Sequence, residues 1–213
     1  MRTPDARVQS ARACAGSFLL LCGLTILLHF SMSLRLFAAI ALPDPVTERL
    51  MALMRGVPGA KWRPRENLHL TLRFFGEVPE PVADDIDAAL GEAAEANGPF
   101  ELILKSAGAF GGSDPHTLWI GAAENPELKK LAADCERAAR RCGLKPEGRK
   151  LVPHVTVAYL SNAPLERVHG FEQRLGLFQA PPFRVDRFGL YSSHVRKSAP
   201  SLYRLEAEYP LYG

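Results

Sequence analysis

The stretch that decides the fold reads NLHLTLRFFG at residues 67–76, and a related stretch, VPHVTVAY, occupies residues 152–159. Both contain the pattern His-x-Thr-hydrophobic, starting at His69 and at His154, within a run of residues that favour strands. Alternate side chains of a strand share a face, so each histidine is expected to point the same way as the threonine two residues later. The pattern therefore predicts two strands that each present an imidazole and a hydroxyl.

The rest of the chain alternates between strand-like and helix-like periodicity around these two stretches. The apolar pattern predicts strands at 34–42, 69–75 (ended by Gly76), 100–105, 117–121, 155–160, 183–192 and 202–209, and a turn-rich loop at 108–115. Helical periodicity covers 45–55, 79–96, 126–142 and 164–175. This order forms two similar halves, each with one His-x-Thr strand. We expect an α+β fold with two pseudo-symmetric lobes, each an antiparallel sheet flanked by helices, and a cleft between them.

The composition indicates an ordinary globular body without a strong charge. Of the 213 residues, 47% are hydrophobic and 23% are charged, and the net charge is +3. The first 32 residues account for +2 of this, which leaves +1 for the rest and argues against a surface that wraps a long nucleic acid. The four cysteines lack zinc-ligand spacing and are expected to be small hydrophobes in a reducing compartment.

Residues 14–30 form an almost wholly apolar segment that follows three arginines. A signal peptide or a short membrane anchor would have this composition, although the apolar core is short for a spanning helix, which needs about 20 residues. A third interpretation is that translation starts at Met32. We favour this interpretation over the anchor, and both over a cleaved signal. The domain prediction is an apolar extension at residues 1–31 followed by one functional domain at residues 33–213, and the expected location is cytoplasmic.

The paired histidines favour acid–base chemistry on a phosphodiester. An imidazole with an ordinary pKa of about 6.5 can give or take a proton near neutrality. One neutral histidine could take a proton from water while one protonated histidine gives a proton to a leaving ribose oxygen. Threonine hydroxyls can donate to phosphate oxygens. Neither histidine is accompanied by a cluster of Asp or Glu, so a two-metal mechanism is poorly supported.

These residues resemble the two-histidine phosphoesterase superfamily, specifically the RNA 2′,3′-cyclic phosphodiesterases that are also labelled 2′-5′ RNA ligases. The matching stretches lie within residues 34–211 and include LFAAIALP at 36–43 and LWIG at 118–121 besides the two histidine motifs. The resemblance implies hydrolysis of RNA or nucleoside 2′,3′-cyclic ends to 2′-phosphates. It implies that His69 is the proton donor and His154 the proton acceptor, and that Thr71 and Thr156 bind the phosphate.

The resemblance also implies that no cofactor and no metal is needed, and that the substrate is an RNA end or a cyclic nucleotide. No stable protein partner is predicted, and the protein is expected to be a monomer. Two alternatives remain open: 2′-5′ RNA ligase activity on tRNA halves, and a non-catalytic module of the same fold that binds RNA or nucleotides.

The chain departs from the family pattern at Tyr159, where the family often has an arginine. A cation near the phosphate is therefore missing or comes from Arg73, Arg196 or Lys197. Aromatic side chains could stack on a nucleobase. The further residues considered as substrate contacts are Arg73, Tyr159 and Tyr191, with Phe74 and Phe75 as weaker candidates for stacking.

Overall fold

The computed structural model describes residues 33–148, 151–197 and 199–212, which contain ten strands, four α-helices and a short 3₁₀ helix at Arg65–Asn67. The predictions for residues 1–31 lie outside this part. The strands are β1 (Ser33–Ala41), β2 (Ala60–Trp62), β3 (His69–Pro79), β4 (Phe100–Leu102), β5 (Leu104–Phe110), β6 (Thr117–Ala122), β7 (His154–Leu160), β8 (Phe183–Val185), β9 (Arg187–His194) and β10 (Leu202–Pro210). The helices are α1 (Asp44–Leu53), α2 (Glu80–Glu95), α3 (Pro126–Arg141) and α4 (Leu165–Leu175).

Eight of these strands form one sheet in the order β10-β9-β1-β3-β7-β6-β5, with β2 paired to β7, and β4 and β8 form a small second sheet. The two histidine strands β3 and β7 are antiparallel and pair at one position, Leu70 opposite Val155. Elsewhere β3 pairs with β1, and β7 pairs with β6 and β2. The two predicted halves are therefore the two ends of a continuous path of strands, joined at the histidine motifs, and the predicted α+β class is confirmed.

Burial of apolar side chains on one face holds the helices against the sheet. Leu70 and Val155 are both fully buried and belong to one hydrophobic core with residues of α2 and α3. Helix α3 buries Leu128, Leu131 and Cys135 as its periodicity predicts. Its start is capped by Asn125, whose side chain accepts a hydrogen bond from the Leu128 amide. None of the helices in the described residues is long and apolar enough to cross a membrane.

Strand β3 continues to Pro79, so the prediction that Gly76 ends it is wrong. Gly76 has φ +78° and lies opposite Leu36, while Phe74 lies opposite Phe37, so Phe75 is an extra residue in β3. Glycine adopts this positive φ without steric cost, which allows a bulge inside the strand where a break was expected. The short strand β2 was not predicted, and β5 extends to Phe110 into the expected loop.

Candidate active site

Four side chains of the two motifs surround the single pair that joins β3 to β7. Because the strands are antiparallel with Leu70 opposite Val155, the register places His69 opposite Thr156 and Thr71 opposite His154. All four are half-buried, whereas the pair between them is fully buried on the opposite face. The structure thus brings both imidazoles and both hydroxyls to one face, where β3 and β7 separate toward their other partner strands.

Each imidazole is oriented by a carbonyl two residues before it. Nδ1 of His69 lies 2.9 Å from the Asn67 carbonyl oxygen, and Nδ1 of His154 lies 2.7 Å from the Val152 carbonyl oxygen. A carbonyl oxygen only accepts, so Nδ1 carries the hydrogen and donates it in both rings. The nitrogen left to exchange protons is therefore Nε2 in both histidines.

Aromatic rings flank the two histidines on separate sides of the site. The His69 ring lies 4.9 Å from the ring of Phe37 and 5.2 Å from that of Tyr203, between centroids. The ring of His154 lies 4.9 Å from Phe110 and 6.3 Å from Trp119. These contacts restrict ring rotation and remove water from the imidazole faces, which leaves the Nε2 edge as the reactive part.

The Trp119 indole lies over a position that has no side chain. Gly108 of β5 lies opposite Trp119 of β6. A Cβ atom added at this glycine would lie 2.2 Å from the Cζ2 atom of the indole. The glycine therefore provides the space that the indole occupies beside His154. In the sequence this glycine belonged to the predicted turn-rich loop, so its role in the site was not foreseen.

Burial lowers the pKa of both histidines. The pKa of His69 falls to about 4, mainly through burial; the hydrogen bond to the Asn67 carbonyl opposes this, and the positive charges of Arg63 and His154 add to it. The pKa of His154 is lowered by burial and raised in part by its bond to the Val152 carbonyl. Both imidazoles are thus neutral near pH 7 in the free protein.

Arg73 was predicted to contact the substrate, but in the structure its side chain binds to α3. Its guanidinium is buried, forms an ion pair of 2.5 Å with Glu136 of α3, and donates to the Lys145 carbonyl at 2.7 Å. The cause is a second bulge, since Thr71 lies opposite Ala39 and Arg73 opposite Ala38, so Leu72 is an extra residue. The bulge turns Arg73 toward the helices. These bonds give Arg73 a structural role against α3, and we expect it to make no contact with the substrate.

The same bulge occurs in β7 and turns Tyr159 toward the site. Trp119 lies opposite Thr156 and Leu118 opposite Ala158, so Val157 is the extra residue. Phe74 and Tyr159 are equivalent in the two strands, and both are about half exposed, at 53% and 46%.

The remaining predicted contacts lie further from the histidines. The Tyr191 ring stacks on the Phe37 ring, with 5.4 Å between centroids, and Phe37 in turn contacts the imidazole of His69. Phe75 is buried in the core. Arg196 is exposed, and its Nε donates to the Pro200 carbonyl at 2.8 Å. Lys197 is exposed as well.

The site also contains residues that were not foreseen. The guanidinium carbon of Arg63 lies 5.1 Å from the centroid of the Tyr159 ring and 5.9 Å from that of Tyr203. Buried Asn67 donates its side-chain amide to the Ser201 carbonyl at 2.8 Å, which ties the turn before β3 to the start of β10. These residues lie in loops or at strand ends, where the period-2 pattern carries no signal.

No cluster of three or more His, Cys, Asp or Glu side chains that could hold a metal ion occurs among residues 33–148, 151–197 and 199–212.

Two strands that each present an imidazole and a hydroxyl on one face define the class of two-histidine phosphoesterases.

Comparison with known proteins agrees with this class. A family model described as 2′-5′ RNA ligase superfamily matches residues 42–197. The RNA 2′,3′-cyclic phosphodiesterase of Aeropyrum pernix is 38% identical over 67% of this chain and 83% of its own length. That of Thermotoga maritima is 30% identical over 78% of this chain and 90% of its own length.

Two solved structures share the fold. TT0787 of Thermus thermophilus has a TM-score of 0.70 and 25% identity, covering 83% of this chain and 97% of TT0787. E. coli LigT complexed with 3′-AMP has a TM-score of 0.68 and 25% identity, covering 85% of this chain and 100% of LigT. The chain belongs to the 2′-5′ RNA ligase superfamily.

Proposed function

We propose that this protein hydrolyses RNA or nucleoside 2′,3′-cyclic phosphodiester ends to 2′-phosphomonoesters. The observation that carries the proposal is the convergence of two imidazoles, each with Nδ1 bound to a carbonyl and Nε2 left to exchange protons. The relatives from Aeropyrum pernix and Thermotoga maritima, both named RNA 2′,3′-cyclic phosphodiesterase, support the same substrate class.

The reaction adds water across the bond between phosphorus and the 3′ oxygen. His154 takes a proton from the attacking water, and the new P–O bond forms as the bond to the 3′ oxygen breaks. His69 gives its proton to that oxygen, which leaves as a hydroxyl. Thr71 and Thr156 donate hydrogen bonds to the non-bridging oxygens, where negative charge accumulates. The two histidines then restore their protonation states by exchange with solvent.

This assignment requires a protonated His69 in the substrate complex, although its pKa in the free site is only about 4. A bound phosphodiester is an anion, and a nearby negative charge raises the pKa of an imidazole. Substrate binding therefore supplies the field that protonates His69. Activity is expected to pass through a maximum with pH, because one histidine must be protonated and the other neutral.

The experiment is turnover of nucleoside 2′,3′-cyclic monophosphates and cyclic-ended RNA by His69→Ala and His154→Ala. Removing a general acid or base costs roughly 10²- to 10⁴-fold in rate, so we expect at least a hundredfold loss in each variant with unchanged melting temperature. The matched control is His169→Ala, which removes an exposed imidazole on α4. Near-normal turnover by either site variant would refute the mechanism, and a 3′-phosphate product would refute the assigned leaving oxygen.

Ligation of RNA ends is a second candidate, favoured by the name of the superfamily whose model matches this chain. The same groups could serve ligation in the same roles, with His154 taking the proton of the attacking hydroxyl and His69 giving a proton to the leaving 3′ oxygen. A 2′-5′ bond would form when a 5′-hydroxyl replaces water as the attacking group. Water is in vast excess over RNA ends, so hydrolysis should dominate. Product analysis with paired RNA ends measures the ratio directly.

A further inference from the structure

Arg63 is a buried cation without an acidic partner in the part of the chain that the structure describes. Its exposure is 9%, the same as that of Arg73. Arg73 forms ion pairs with Glu136 and Glu147, whereas Arg63 forms none with a carboxylate of the described residues. Burying a charge is costly unless a partner compensates it. The compensation present comes from the faces of Tyr159 and Tyr203 and from a hydrogen bond of 3.2 Å that Nη2 donates to the Tyr203 hydroxyl. Neutral rings leave the positive charge available to an anion.

The position of Arg63 is beside the phosphate-facing threonine of β7. Its backbone amide donates to the Val157 carbonyl at 2.9 Å, one residue after Thr156. Its side chain reaches from Tyr159 on β7 to Tyr203 on β10, and the Tyr203 ring is 5.2 Å from the ring of His69. The guanidinium thus connects β7 to β10, and the Tyr203 ring contacts both the guanidinium and the imidazole of His69.

We propose that Arg63 is the cation that binds an anionic phosphodiester group of the substrate, and that Tyr159 and Tyr203 hold its plane in place. The inference rests on the proposed function. A guanidinium presents planar N–H donors that match phosphate oxygens. The hydroxyl of Tyr203 accepts from Arg63 and keeps its own proton, which it can donate to the same anion. Tyr159, at the position where the family often has an arginine, supplies an aromatic ring, and Arg63, the residue after β2, supplies the positive charge.

Two phosphodiesters of the substrate could occupy this position. One is the cyclic phosphate, and the other is the phosphodiester that joins the terminal nucleotide to the rest of the RNA. A nucleoside 2′,3′-cyclic monophosphate carries only the first, whereas a cyclic-ended trinucleotide carries both. Comparing the two substrates therefore separates the sources of the anion.

The test is the KM of Arg63→Met for both substrates, with kcat and melting temperature measured alongside. A hydrogen bond to a charged group contributes about 1.5–3 kcal/mol, so a roughly tenfold or larger rise in KM is expected. A rise for both substrates assigns Arg63 to the cyclic phosphate, and a rise for the trinucleotide alone assigns it to the chain phosphodiester. The slope of log KM against log salt should fall by about 0.7 for one lost phosphate contact.

The matched control is Arg204→Met, which removes the same charge from the exposed position next to Tyr203 on β10. Neighbouring strand residues point to opposite faces, so the control should leave KM unchanged. Adding Tyr159→Arg to Arg63→Met returns a cation to this edge of β7 and should recover part of the affinity. Unchanged KM values and an unchanged salt slope in a folded Arg63→Met protein would overturn the inference.

A measurement on the wild-type protein keeps the inference testable if Arg63→Met fails to fold. Titration with inorganic phosphate should shift the ¹⁵Nε signal of Arg63, assigned with Arg63→Lys. The titration is repeated with the trinucleotide that ends in a 2′-phosphate, which also carries the chain phosphodiester. If both ligands move the imidazole signals of His69 and His154 and neither moves the Arg63 signal, the inference is contradicted. If the wild type turns over no cyclic phosphate, the proposed function fails, and this titration still decides whether Arg63 binds an anion.

Discussion

The lowered pKa of His69 predicts that this one side chain makes the fold sensitive to mild acid. The unfolded chain takes up a proton at an ordinary pKa of 6.5, whereas the folded protein does so only at about 4. Between these values the unfolded state binds more protons, so stability is complete above pH 6.5 and falls as pH drops toward 4. For these two pKa values the loss between pH 8 and pH 5 is about 2 kcal/mol.

The assay is urea denaturation of the wild type and His69→Gln at pH 8 and at pH 5. Other groups also titrate over this range, but they do so in both proteins and cancel in the difference. The wild type should lose about 2 kcal/mol more free energy of unfolding than His69→Gln. His169→Gln, which removes an exposed histidine of α4, should behave like the wild type. Equal losses in the wild type and His69→Gln, or an NMR titration of His69 near 6.5, would refute the reasoning from burial.

Two further predictions concern residues outside the reacting groups. Arg73→Met should lower the free energy of unfolding by about 2–3 kcal/mol, because it leaves the partly buried carboxylate of Glu136 unpaired. The KM for a cyclic nucleotide should stay within twofold of the wild-type value. A tenfold rise in KM would show that Arg73 contacts the substrate. Gly108→Ala should destabilise the fold by about 1–3 kcal/mol and reduce turnover, because the added methyl displaces Trp119 from beside His154. The control Gly91→Ala, on α2 with open space around it, should keep full turnover. Urea denaturation and steady-state kinetics of all three variants check these expectations.

The repeated pattern was sufficient to predict which side chains converge, because period-2 alternation is a local property of a strand. With Leu70 and Val155 apolar between a histidine and a threonine, only one face of each strand can enter the core. Pairing of the two strands at these residues then brings all four polar side chains together. The helices could also be predicted from the sequence, since the apolar positions of α3 recur at helical spacing.

The two bulges, in contrast, could not be predicted from the sequence. An extra residue after each threonine, Leu72 in β3 and Val157 in β7, depends on how the neighbouring strand is aligned. Simple alternation put Arg73 on the face of His69 and gave no reason to place Tyr159 there. The position of Arg63 was missed for a related reason. Arg63 directly follows β2, a strand of only three residues, and its place depends on tertiary hydrogen bonding to β7.

The two histidines are held alike and yet lie in different electrostatic surroundings. In both, a carbonyl fixes Nδ1 and burial lowers the pKa, but the positive charge of Arg63 lowers the pKa of His69 further. In the empty site this charge opposes a proton on the residue assigned as donor. A phosphodiester bound at Arg63 would neutralise that charge and add its own negative field, so both changes favour protonated His69. In the proposed mechanism, the proton that reaches the leaving oxygen would then be taken up together with the substrate, whereas both imidazoles of the free protein are neutral near pH 7.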